Sequence, residues 1–451
     1  MNKLPEPTKD DFNFETPQIN QINLDNNLNV YRVTKTQSEL LSIVFILPIY
    51  EKSSEKIPPG CVSLILKLLF EQNIYNSKTS LQYQLENSGA DPIYFSDAEK
   101  IVIGFQSTED TWKKSLEILL NAINNIKIDS KEFLRIQKLR IGEILQNKGN
   151  PMFLARSGLH KNLYKSDSTH SYTSIGKLNN IKKLTAVNLN KIALELIKIT
   201  SNTKIALISK NENKEIVSIL NQIKLNTIKP PNSQTIKEKK NSNLLIPTDI
   251  PSPQSIIVLG KRLSIPTLHE RLCLEIFNEI LGGSFMSRLN VNLREKNGYS
   301  YGFGSSLNWA RSTEPTIIAG GSVNTKNTKD SINEIKYEIE SLFGENKISD
   351  QEIQNSIESV KLSYLKNFET HMSSISLVNK LIFENLELDF HDLYFDEIAK
   401  ITKDGIYNYL HKNFSDLNDF STVIVGDKKY LSELTETSTI TANTISADGI
   451  I

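Results

Sequence analysis

Apolar positions along this chain alternate between two spacings, and the alternation runs through the chain twice in the same order. Compact runs of Val, Ile and Leu, such as Leu40–Pro48 and TKIALIS, read as buried strands, and apolar residues three and four apart between them read as helices. The first half predicts strands near Asn29–Thr34 and Leu40–Pro48, then helices near Pro59–Gln72 and through SLQYQLENSGA. Strands follow near Pro92–Phe95 and Lys100–Ser107, then the helix DTWKKSLEILLNAINNI and the long helix IDSKEFLRIQKLRIGEIL. LTAVNLNKIALELI then leads into TKIALIS. The second half repeats this order. SIIVLG is followed by LHERLCLEIFNEIL, a Gly-Gly turn and a helix over 284–297, then strands near 299–309 and 314–323. DSINEIKYEIESLF and ISDQEIQNSIESVKLSYL come next, and ITKDGIYNYLHKNF leads into FSTVIVGD.

Ile128-Asp129-Ser130 matches Ile348-Ser349-Asp350, and Leu184-Thr185 matches Ile401-Thr402, at a near-constant offset that implies an internal duplication. Strands cluster within each half and long helices flank them. The expected fold is therefore α+β: two homologous domains, each a mostly antiparallel sheet with helices packed on one face. Pro-Pro, a Lys-rich run and turn residues mark a linker over 226–250, between an N-terminal domain over 1–225 and a C-terminal domain over 251–435. The polar segment 436–451 is expected to be a flexible tail. The strand EKIVIGFQS has an apolar alternation suited to a sheet edge.

Composition narrows the function. Lys+Arg and Asp+Glu are both 52, which removes any electrostatic case for nucleic acid or an anionic membrane. No apolar run is long enough to span a bilayer. The first residues lack the apolar core of a signal peptide. The expected location is the cytoplasm, with the periplasm open if the N-terminus is processed. Cys61 and Cys273 each fall inside a predicted helix and read as buried hydrophobes, not as a disulfide or reactive thiols.

Chemistry concentrates in residues 281–305, LGGSFMSRLNVNLREKNGYSYGFGS. Ser284 reads as an N-cap, and Phe285, Leu289 and Leu293 as one apolar helix face. Asn297-Gly298 ends the helix. By themselves, Arg294 is a cation beside a helix C-terminus and Tyr301 a strand aromatic. The run Gly282-Gly283, Ser287-Arg288-Leu289, Leu293-Arg294-Glu295 and Gly298-Tyr299-Ser300-Tyr301 resembles the C-terminal half of the insulinase/pitrilysin family of zinc peptidases. The resemblance is to the branch of mitochondrial processing peptidase and its bacterial relatives. It implies that Arg294 and Tyr301 hold the substrate backbone and stabilise the oxyanion. It also implies two such domains per chain, with chains pairing around a chamber.

The same resemblance places a zinc motif, H-x-x-E-H, on the first helix of the N-terminal half, with a distant Glu as third ligand. Here that helix reads GCVSLILKLLFEQ. The positions of the two His and the Glu hold Ser63, Lys67 and Leu66, and the third-ligand position holds Glu143 in RIGEIL. The six histidines, at 160, 170, 269, 371, 391 and 411, contain no pair three to five apart. No metal is therefore expected in this chain. Either Lys67 pairs with Glu143 in the vacated site, or Lys67 faces water and Glu143 is an ordinary helix carboxylate. Ser63 has no nucleophile elbow. Gly302 and Gly304 lie in a strand and form no phosphate loop.

The resemblance thus implies a divided enzyme. This chain is expected to be the non-zinc subunit, inactive alone, paired as a heterodimer with a homologous zinc-bearing subunit and acting on unfolded peptides. The alternatives are a catalytically inactive peptidase-like scaffold or peptide-binding protein and, more remotely, an independent hydrolase with another site.

Overall fold

The computed structural model describes residues 17–49, 57–73, 79–226, 242–248, 251–310, 314–384, 386–414 and 419–451. The first half contains β1 (Ile19–Asn23), β2 (Asn29–Thr34), β3 (Leu40–Pro48), α1 (Cys61–Glu71), α2 (Leu81–Asn87), β4 (Ala90–Ser96) and β5 (Lys100–Thr108). It continues with α3 (Trp112–Asn124), α4 (Ser130–Asn147), α5 (Pro151–Leu163), α6 (Leu178–Lys183), α7 (Ala186–Leu196), β6 (Lys204–Ser209) and α8 (Lys214–Asn221). The second half has β7 (Leu244–Pro247), β8 (Gln254–Arg262), α9 (Leu268–Asn278), α10 (Arg288–Asn290), β9 (Ser300–Asn308) and β10 (Thr316–Asn324). After these come α11 (Thr328–Ser341), α12 (Asp350–Leu365), α13 (His371–Phe383), α14 (Phe390–Ile398), α15 (Lys403–Asn413), β11 (Ser421–Gly426), α16 (Lys428–Glu436) and β12 (Asn443–Thr444).

One six-stranded sheet has the order β1-β2-β6-β3-β5-β4 and the other β12-β7-β11-β8-β10-β9. The orders coincide strand for strand, with β3, β5, β4 and β6 answering β8, β10, β9 and β11. Helix starts repeat with them. Asp129 accepts the Lys131 and Glu132 N–H groups at the head of α4, and Ser349 forms a capping box with Glu352 at the head of α12. Thr185 and Thr402 cap α7 and α15 in the same way. The fold is α+β with two mostly antiparallel sheets. β2 lies parallel to β6, and β7 parallel to β11 and β12.

Each half gathers most of its helices on one face of its own sheet. Val30, Ile43, Phe45 and Ile103 share a core with α1, α3, α4 and α7. Ile257, Leu259, Ile317 and Ile424 share one with α9, α11, α12 and α15. The opposite faces are covered by exchange. Ile375, Val378 and Leu381 of α13 join the core that holds Val44, Ile46 and Ala206 of the first sheet. Leu154, Ala155 and Leu159 of α5 join the core of Ile246, Val258 and Val423 in the second. Each half therefore buries apolar area that belongs to the other, which couples them by the hydrophobic effect.

Three expectations change. The segment 436–451 is not a flexible tail. β12 pairs with β7, Ile450 and Ile451 are buried in the first core, and the Leu178 N–H donates to the Ile451 carbonyl at 3.1 Å. Scattered isoleucines in a polar stretch sufficed to dock it. Within the expected linker 226–250, Leu244–Pro247 is a strand between β11 and β12, while 227–241 and 249–250 lie outside the described residues. β5 is not an edge, since it pairs with both β3 and β4, and its Ile101–Phe105 core is buried on both faces. Among the described residues no helix is long and apolar enough to cross a membrane.

Candidate functional site

The segment after α9 does not form the expected turn and single helix. It widens into a π-helical turn over Glu279–Gly283, bends, resumes as α10, and widens again over Val291–Lys296. Ser287, not Ser284, stands at the N-cap of α10. Phe285 therefore lies outside the helix and is 63 % exposed, while Leu289 and Leu293 are fully buried as expected. Gly282-Gly283 serves close approach and not a reversal. A Cβ on Gly282 would lie 2.4 Å from the Ser305 backbone N and 2.6 Å from its Oγ. Gly282→Ala is expected to cost about 1–3 kcal/mol through this overpacking, read as a lowered urea midpoint.

Arg294 lies on the second widened turn. Its Nε is 3.4 Å from Glu295 Oε1 and its guanidinium stands 4.4 Å over the Phe285 ring. The chain then reverses at Gly298, whose φ of 63° favours glycine. The Tyr299 N–H closes the turn onto the Leu293 carbonyl at 2.8 Å. β9 starts at once, and Tyr301 is the extra residue of a β-bulge: Ser300 pairs with Val323 and Gly302 with Ser322. The Ser300 hydroxyl holds the bulge, accepting from the Gly302 N–H at 3.0 Å and donating to the Ser322 carbonyl at 2.7 Å. A bulge re-aims the side chain it carries, and Tyr301 is 86 % exposed. Arg294 and Tyr301 flank the same turn without a direct hydrogen bond or ring contact between them among the described residues.

The frame beneath them is polar and buried. Asn290 donates to the Phe285 carbonyl at 2.7 Å and accepts the Phe303 N–H at 3.2 Å. Asn292 bridges Glu334 and Glu338 of α11 at 2.9 and 2.7 Å. Arg288 grips Glu352 with Nε and Nη2 at 2.7 and 2.9 Å and donates to the Asn346 carbonyl at 2.6 Å. Burial works against it, but Arg288 and the Ser349 cap hold the Glu352 carboxyl down at about 2. Sequence reasoning gave Arg288 and these asparagines no role. The available signal was the place of Arg288 in the S-R-L run, on the flank of the predicted apolar face. β9 is an edge strand, yet Asn290 and the Gly282 turn close its outer side over 303–305.

In the first half, Lys67 and Glu143 do not pair. Lys67 lies 3.7 Å from Glu71, one turn along its own helix. The residue that meets the vacated positions is Arg140, 6 % exposed. Its Nη1 donates to Ser63 Oγ at 2.8 Å and to the Ile175 carbonyl at 3.2 Å. Its Nε lies 3.1 Å from Glu143 Oε2, close but poorly aligned for a hydrogen bond. Ser63 donates in turn to the Ser174 carbonyl at 2.6 Å, and Leu66 is buried. A hydroxyl, an apolar side chain and a carboxylate already facing a guanidinium do not make a zinc ligand set. Among the described residues, no group of three or more His, Cys, Asp or Glu is arranged to hold a metal ion.

Beside α1 a cleft of about 500 Å³ opens between the halves, lined by Gly60, Ser63, Glu99, His160, His170 and Trp309. His160 is engaged with the His170 carbonyl at 2.9 Å, and burial pushes its pKa down. Burial likewise pushes the Cys61 and Cys273 thiols up to about 12, so both stay protonated and unreactive.

Residues 199–360 match the family model described as Peptidase M16 inactive domain. No curated protein matches the chain. Among solved structures, the peptidase M16 inactive domain from Pseudomonas fluorescens superposes with a TM-score of 0.78 at 18 % identity, over 91 % of this chain and 98 % of that one. A protease from Helicobacter pylori gives 0.77 at 16 %, over 91 % and 100 %. The periplasmic protease PqqL from Escherichia coli gives 0.75 at 15 %, over 92 % of this chain but 46 % of the longer one. The chain thus shares the M16 peptidase-like fold along its length and matches the M16 inactive-domain family over residues 199–360.

Proposed function

We propose that this chain is the non-zinc subunit of a two-chain zinc metallopeptidase. A homologous subunit would hold the zinc, and Arg294 and Tyr301 would complete its site. The observation that carries this reading is that a buried polar frame underlies a turn from which Tyr301 and Arg294 reach outward. Tyr301 stands 86 % exposed at a bulge, and Arg294 beside it rests on Glu295 and Phe285, two neighbours in its own segment. The guanidinium supplies fixed donors and positive charge where a scissile carbonyl oxygen becomes anionic, and the phenol adds one O–H donor. The closed edge of β9 suits a subunit that contributes side chains, while the unfolded peptide adds as a strand to the partner's sheet. The compartment follows the partner, the cytoplasm first and the periplasm as the alternative, and cell fractionation decides between them.

The match to a family model described as inactive favours a second reading, a catalytically inactive peptidase-like scaffold or peptide-binding protein. Isolation under native conditions separates the two. The subunit reading expects a stoichiometric relative carrying H-x-x-E-H, and a complex without one supports the scaffold. In the assembled enzyme, Arg294→Ala and Tyr301→Phe should each lower kcat about 100–1,000-fold while subunit pairing, read by gel filtration, stays intact. Full activity of the double variant refutes the role.

A further inference from the structure

We infer that Arg140 is a built-in replacement for a metal cation. Its guanidinium cross-links the segments that a zinc ion would join, and it bars a divalent ion from that junction. From its place on α4, Arg140 reaches α1 through Ser63 and the 174–175 loop through the Ile175 carbonyl, with Glu143 of its own helix beside its Nε; Ser63 adds a bond to the Ser174 carbonyl. Two of the four vestigial positions, Ser63 and Glu143, therefore still converge on one positive centre. The other two have left it: Leu66 is buried as a hydrophobe, and Lys67 turns along its own helix to Glu71.

The exchange has a chemical logic. A His-rich site holds its metal only while the ligands are deprotonated, so it empties in weak acid and before chelators. A guanidinium stays charged across that whole range and brings its donors in a fixed fork. The junction thus keeps its geometry whatever the metal supply. Any dication reaching Glu143 would sit against a like charge that is itself buried.

Zinc binding tests this directly, with a chromophoric chelator as competitor and metal counted by mass spectrometry. The full chain should take up no stoichiometric zinc, and chelator should leave its unfolding midpoint unmoved. Next, Ser63→His, Leu66→Glu and Lys67→His are introduced together, with and without Arg140→Ala. The variant that keeps Arg140 should bind zinc at least about 100-fold more weakly, the upper range for groups around a metal's ligands. Equal affinity in the two backgrounds overturns the inference. So does one zinc per wild-type chain that is lost in Glu143→Gln. Arg140→Lys, a single change, covers the case in which the multiple variants do not fold. It keeps the charge but cannot span Ser63, Ile175 and Glu143, so the midpoint should fall without zinc uptake. An unchanged midpoint counts against the cross-link.

Discussion

Arg271→Ala is expected to cost the chain about 3–5 kcal/mol, the range for removing one partner of a buried ion pair. Arg271 is 5 % exposed on α9. Its Nε donates to Glu275 at 3.1 Å, its Nη1 to Glu384, and its guanidinium lies 3.8 Å over the Trp309 ring. Tyr394 donates to the other Glu275 oxygen at 2.9 Å. Burial alone would make the guanidinium less basic, but the two carboxylates outweigh it and raise its pKa. Alanine leaves both carboxylates in a poorly hydrated place and removes the platform under Trp309, just past the end of the strand that carries Tyr301. Urea unfolding should show the loss. Adding Glu384→Gln should recover part of it, because Lys380 remains to face one carboxylate and a neutral amide tolerates burial better than a second, unpaired one. A loss below about 1 kcal/mol would mean that water reaches these groups.

The same network shows where sequence reading stops. The strands, the helices and the doubled order were legible because period-two and period-3.6 burial writes itself into the sequence. The N-caps Asp129, Ser349, Thr185 and Thr402 appear at matching places in both halves. What escaped was long-range. Nothing local says that α5 covers the second sheet and α13 the first, since an apolar helix face does not name its partner. Ser284 is a good N-cap by type, but close packing of Gly282 on Ser305 moved the helix start to Arg288. Phe285 fitted the apolar period, and it lies outside the helix, beneath Arg294. Lys67 was the cation nearest in sequence to the vestigial motif. Arg140 reaches Ser63 only because α1 and α4 pack together, which a linear pattern does not state. That Arg294 and Tyr301 flank one turn was readable from the Asn297-Gly298 cap between them. Their presentation by a widened turn and a bulge was not, because both depend on one inserted residue each.

Acid should destabilise the chain between about pH 6.5 and pH 4, earlier than carboxylate protonation alone would. Buried histidines carry this effect: His160, lowered by burial as described above, and two others, His371 and His391. His371 stands at the head of α13, where that helix meets the first sheet. Its ring lies between Ser42 and Ser38, each 2.9 Å away, and burial, then Lys35, brings its pKa down to about 4. His391 bonds the Tyr364 hydroxyl through Nδ1 and leaves Nε2 buried without a partner; burial, then Lys380, lowers it to about 4. The unfolded histidines titrate near ~6.5. All three rings are neutral in either state above that pH, so stability there is complete. As pH falls, the unfolded chain takes up protons that the native chain refuses, and stability drops until the native rings titrate too. At ~1.4 kcal/mol per pKa unit, His371 and His391 each forfeit at most roughly 3 kcal/mol by pH ~4. The Arg288-bound Glu352, held at about 2, loses its contribution only below its ordinary 4.5, a separate and lower window. His371→Gln and His391→Gln should each flatten the slope of urea stability against pH across the upper window while leaving the lower one unchanged. The amide introduced by His371→Gln can still bond both serines, so the slope tests protonation and not the loss of a contact. An unchanged slope in both variants would place the acid sensitivity elsewhere. Because His371 sits where the halves exchange helices, α13 should be the first element to leave its sheet in acid, seen as early amide exchange in β3 and β6.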